Sequence, residues 1–162
     1  MHSLWRERPR SKPLFRLALR WNPVSLTRAL AFLCLVSLLA ACRGGSVTPF
    51  RFQHDAESLA SISTDGSLLA HGIFKGETTD AYARIHASEL GKESGQLAAI
   101  LRSAHPRPGL HAKTAQLVAL AQRASNLLGQ IAEAPSDRSL AGRLTDALEH
   151  ISSVATKLSK SA

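Results

Sequence analysis

Apolar residues along the chain fall into two regimes. From Ala29 to Ala41 thirteen residues run almost unbroken, with Ser37 the single polar one. Beyond Gly45 the apolar positions recur instead at spacings of three and four, the period of a helix with one buried face. Leu59, Ile62, Gly66, Leu69 and Ile73 form a first stripe. Ala83, Ala87, Leu90, Leu97 and Leu101 form a second, with Tyr82 and Ile100 on its flank. In the third, Leu110, Leu117, Ala124 and Ile131 repeat every seven residues, with Thr114, Ala121 and Leu128 between them; this is the a/d seam of a packed helix. Leu140, Leu144, Ala147, Leu148, Ile151, Val154, Ala155 and Leu158 make the fourth.

Punctuation between the stripes sets the element ends. Asp55 is a good N-cap residue, with Glu57 in the turn that follows. Gly76 suits the left-handed residue after a helix, and Thr78 with Asp80 suits the start of the next. Pro106 and Pro108-Gly109 stop the second helix, Pro135 stops the third, and Ser136 or Asp137 caps the fourth. Asp65-Gly66 is also a hairpin signal, so residues 61–74 carry a strand-turn-strand alternative. No second copy of that segment follows, as a propeller would require, and the stripe through Gly66 favours the helix. The expectation is an all-α domain over residues 55–162, an antiparallel up-down four-helix bundle elongated along its helices. Residues 42–54 contain Gly44-Gly45-Ser46 and Pro49 and read as a short flexible tether, with Phe50 and Phe52 stapling its end to the domain.

Charge changes the picture once it is divided. The chain of 162 residues has a formal net charge of +8, a value that invites a nucleic-acid partner. Residues 1–41 hold seven Lys/Arg against the single acid Glu7, whereas residues 42–162 hold thirteen against eleven. Without a Lys/Arg cluster in the sequence of the later part, the phosphate-backbone reading loses its basis. The cysteines are only two, Cys34 and Cys42, so a disulfide framework is excluded and packing alone must hold the domain.

The basic residues 1–28, the thirteen-residue apolar run and the small residues at its end have the three parts of a secretory signal peptide. The run is shorter than the roughly 20 residues that span about 30 Å of hydrocarbon. Leu39-Ala40-Ala41-Cys42 then resembles the lipobox of bacterial lipoproteins: an aliphatic residue, two small residues and the cysteine that is modified. Cys34 fails that pattern because the bulky Leu33 precedes it. The resemblance covers only the leader and the first mature residue. It implies cleavage before Cys42, a diacylglyceryl thioether on its sulfur and acylation of the new amino end, palmitate being the kind of chain such anchors carry. Arg43, rather than Asp, follows the cysteine, which by the enterobacterial sorting rule implies the outer membrane. The positive region is long, with Trp5, Trp21 and three prolines, and Met1 is the only methionine; residues 1–25 are therefore open to being a mis-assigned start, with Val24 or Leu26 as the alternative.

Chemistry is sparse. The di-iron bundle pattern of Glu-x-x-His on two helices is approached only by His86, Glu89 and Glu93 on the second helix, in reversed order. Asp146 and His150 share a flank of the fourth. If the two flanks met, they would offer a Zn²⁺-type nitrogen and oxygen set; otherwise they are solvated helix-edge residues. Haem attachment through Cys-x-x-Cys-His has no match, and no serine lies in a Gly-x-Ser-x-Gly turn. His105 and Arg107 stand before the third helix, where an anion could meet its positive end. The expectation is a non-enzymatic lipoprotein without a cofactor, bound to the membrane through lipid on Cys42 and facing the periplasm. Its bundle would act as a structural or protein-interaction module with an envelope protein partner. The alternative is a metal-binding or sensory bundle working through His86, Glu89, Glu93, Asp146 and His150. Pairing of two bundles through their seams is a third arrangement to consider.

Overall fold

A computed structural model describes residues 46–161. The leader, the Leu39–Cys42 box and Arg43 to Gly45 lie outside the described residues. Four helices pack against one another: α1 (Pro49–Lys75), α2 (Asp80–Ser103), α3 (His111–Glu133) and α4 (Arg138–Ser159). Two short strands, β1 (Ser46–Val47) and β2 (His105–Pro106), pair in parallel, with Ser46 opposite His105 and Val47 opposite Pro106.

Helix α1 begins six residues before the expected Asp55. Thr48 is its N-cap, accepting the Arg51 N–H on Oγ1 at 3.3 Å, and Pro49 occupies the first turn. A proline there loses nothing, because its missing N–H is one of the four that a helix start leaves unpaired. The expected tether therefore continues as helix, and it contributes core: Val47 and Phe52 are fully buried. The hairpin alternative for residues 61–74 is excluded, since α1 runs unbroken through Asp65-Gly66. It ends where expected, at Gly76 with φ 75°, and the Glu77 N–H reaches back to the Gly72 carbonyl at 2.9 Å. This is the closure that a left-handed glycine permits.

Thr79 caps α2 by accepting the Tyr82 N–H, and Asp137 caps α4 by accepting the Leu140 N–H at 2.9 Å. Every seam residue expected for α3 is buried: Leu110, Thr114, Leu117, Ala121, Ala124, Leu128 and Ile131.

Helix α1 packs chiefly on α4, and α2 chiefly on α3, with thinner contacts between the two pairs. The α2–α3 joint is built from small residues. A Cβ on Gly91 would stand 3.5 Å from both the Leu128 Cβ and the Ser125 carbonyl. At that approach serine hydroxyls reach the opposing backbone: Ser94 Oγ donates to the Ala121 carbonyl and Ser125 Oγ to the Gly91 carbonyl, each at 2.8 Å. The apolar core has two clusters. One joins the first turns of α1, the last of α2, the first of α3 and the last of α4, around Val47, Phe52, Leu101, Leu110, Leu117 and Leu158. The other joins the opposite ends, around Ile73, Ala83, Leu90, Leu128, Ile131 and Leu144. Leu127 packs against both. A fully buried leucine contributes about 1.5–3 kcal/mol relative to an exposed one, so the larger residues at these centres dominate stability.

Candidate functional site

The residues singled out for metal chemistry do not assemble. His86 Nδ1 lies 4.0 Å from Glu89 Oε2 on the same helix, and the His86 ring stacks on Tyr82 with centroids 5.3 Å apart. His86 lines a groove of about 290 Å³ between α1 and α2, together with Asp65, Leu68, Leu69, Thr78 and Tyr82. Asp146 lines a different groove, of about 650 Å³, beside His71, Phe74 and Arg143 at the junction of α1 and α4. Glu93 and His150 are exposed. Among the described residues no three His, Cys, Asp or Glu side chains come close enough to hold a metal ion. The cause is the pairing of helices: α2 lies on α3 and α4 on α1, so the two flanks that would have to meet belong to different pairs. His86 and Glu89 remain an i, i+3 surface pair, worth a few tenths of a kcal/mol to the helix at most.

The exposed apolar side chains are more informative. Phe50 is 81 % exposed, Leu68 65 %, Ile85 60 % and Tyr82 56 %. Leu68 and Tyr82 both line the α1–α2 groove, where the two helices make only a thin contact. Phe74 is half-exposed and leans on Gly142, where an added Cβ would come within 3.0 Å of its ring. The two phenylalanines read as staples divide: Phe52 is buried in the core, and Phe50 projects outward beside it. The helical register carried that distinction, because Phe52, Ala56 and Leu59 continue the buried stripe of α1 and Phe50 lies off it.

One carboxylate is electrostatically unusual. Asp55 Oδ2 lies 3.9 Å from Arg51 Nε, is buried, and has no hydrogen-bond partner. Loss of solvent pushes its carboxyl above the ordinary value, and the positive charges of Arg51 and His54 offset this only in part. Ser63 Oγ and Thr114 Oγ1 are likewise buried without partners. Each is a single polar group held within the helix packing.

None of the described helices is long and apolar enough to cross a membrane. The chain matches no protein-family model, no curated protein and no solved structure.

Proposed function

We propose that the protein is a lipid-anchored lipoprotein of the bacterial cell envelope whose helical domain serves as a structural or protein-interaction module rather than as an enzyme. The observation that carries this reading is Leu39-Ala40-Ala41-Cys42 at the end of a thirteen-residue apolar run behind a basic segment. Cys42 carries the lipid and Arg43 directs the protein to the outer membrane, with the domain in the periplasm. The four helices take the up-down-up-down antiparallel order. That order is supported by the short connections and by a core in which the start of α1 meets the end of α2, the start of α3 and the end of α4.

The anchor has a simple energetic logic. Each buried methylene contributes about 0.8 kcal/mol; one acyl chain holds a protein only marginally, and two or more hold it stably. The partner surface in this reading is the α1–α2 face bearing Leu68, Tyr82 and Ile85, apolar side chains exposed beside a groove. Metabolic labelling with a palmitate analogue tests the proposal. Label should enter the wild-type chain, disappear in Cys42→Ala and persist in Cys34→Ala, and globomycin should cause the precursor to accumulate. Equal labelling of the wild type and Cys42→Ala would overturn it.

A further inference from the structure

Charge is unevenly distributed between the two ends of the helical domain. The end where the described chain begins contains the start of α1, the end of α2, the start of α3 and the end of α4, tied together by the β1–β2 pair. Among the described residues it bears Arg51, Arg102, Arg107, Lys113, Lys157 and Lys160 against Asp55 and Glu57 alone. Elsewhere among the described residues six Lys/Arg face nine Asp/Glu. The two acids of the basic end are also engaged. Asp55 pairs with Arg51 and is mostly buried, and Glu57 accepts a hydrogen bond from Gln53 at 2.9 Å. Phe50, 81 % exposed, stands at this same end in the first turn of α1.

An exposed aromatic at an end where cations outnumber acids is the composition of a surface that rests on an anionic bilayer. The ring enters the headgroup boundary, and the cations neutralise lipid phosphates. The geometry points to this end as a membrane-docking foot for phosphatidylglycerol-type anionic headgroups, with Phe50 as its apolar contact and Arg102, Arg107, Lys113, Lys157 and Lys160 as its charges. The inference rests on the anchored reading above, because it is the anchor that brings the foot to the bilayer. Ser46 follows Cys42 by four residues, which reach at most about 14 Å when fully extended. A lipid on Cys42 therefore holds the foot within one or two Debye lengths, each about 8 Å at physiological salt. The charges would fix which end of the domain faces the membrane and leave the α1–α2 face free to the side.

The test uses the full chain recovered from cells and reconstituted into vesicles, with Phe50→Trp as reporter and Trp5 and Trp21 replaced by Phe. Vesicles of phosphatidylcholine alone are compared with an equal mixture of phosphatidylcholine and phosphatidylglycerol. The docked state predicts blue-shifted emission from position 50, with quenching by lipids brominated near the headgroup, in the anionic vesicles only. Each cation near such a surface strengthens docking about fivefold, so Arg102→Gln, Arg107→Gln and Lys157→Gln together should weaken it on the order of a hundredfold and abolish the shift. Circular dichroism of that variant verifies that the helices persist. Flotation separates the two ideas. A chain that floats with both vesicle types and shows no shift keeps the anchor and overturns the foot. A chain that floats only with the anionic vesicles keeps the foot and overturns the anchor, and a chain that floats with neither overturns both.

Discussion

Gly66 lies in the middle of α1, where a Cβ would come within 2.8 Å of Leu128 Cδ2 and 3.4 Å of Leu148 Cδ1. It is thus the point at which α1 admits a leucine from α3, the helix with which it otherwise has little contact. Two opposing effects set the outcome of Gly66→Ala. Replacing a mid-helix glycine by alanine stabilises by about 0.5–1 kcal/mol, whereas forcing a methyl into a filled core costs about 1–3 kcal/mol. Leu128 is fully buried and cannot swing its methyl aside into solvent, so the steric cost should prevail. The expected net loss is on the order of 1 kcal/mol, a fall of roughly 3–5 °C in Tm for a domain of this size. Leu128→Ala alone should cost about 3 kcal/mol through the cavity it leaves. In that background the obstacle at Gly66 is gone, and Gly66→Ala should become stabilising by about 0.5–1 kcal/mol. Urea denaturation of the four chains, followed by helical circular dichroism, measures the coupling, expected at about 2 kcal/mol. Effects that add to within about 0.5 kcal/mol, the behaviour of independent sites, would refute the contact.

Three further outcomes follow from the same packing. Gly129 has open space where its Cβ would stand, so Gly129→Ala should raise stability by about 0.5–1 kcal/mol in the same denaturation assay. Ser94→Ala removes a buried hydrogen bond to the Ala121 carbonyl and should cost about 1 kcal/mol, whereas Ser63→Ala removes a buried hydroxyl that has no partner and should be neutral or stabilising. Burial raises the Asp55 carboxyl above 3.8, so between that value and its folded pKa the folded state binds more protons than the unfolded one. This contribution to stability falls as pH rises through that window and is lost once Asp55 is ionised in the fold. Asp55→Asn should remove that slope, and the difference in urea midpoint between the two chains, followed from pH below 3.8 up to neutrality, measures it.

These residues also mark what was legible in the chain before its structure. The seam of α3 was readable because its apolar and small residues keep a strict seven-residue repeat, and all seven positions are buried. Gly66 belonged to the α1 stripe, yet Asp65-Gly66 imitates a turn, and only the approach of Leu128 explains a glycine mid-helix. The start of α1 is harder to read, because Gly44-Gly45-Ser46 suggests a tether over residues 42–54 whereas the helix begins at Pro49. Thr48-Pro49 was already a helix-start signal, and the pairing of Val47 with Pro106 joins residues too far apart in sequence for any local pattern to announce. The metal set His86, Glu89, Glu93, Asp146 and His150 failed for a related reason. Spacing places residues on a helix face but does not say which helices become neighbours, and here α2 chose α3. The small residues that made that choice, Gly91, Ser94 and Ser125, look polar or featureless in sequence.

The central claim concerns Cys42, and mass spectrometry of the amino-terminal peptide from protein purified out of its native membrane tests it most directly. The account predicts that the mature chain begins at Cys42 and carries a diacylglyceryl thioether on its sulfur, with or without a further acyl group on the amine. A chain that begins elsewhere, or that carries Cys42 as a free thiol, would contradict it.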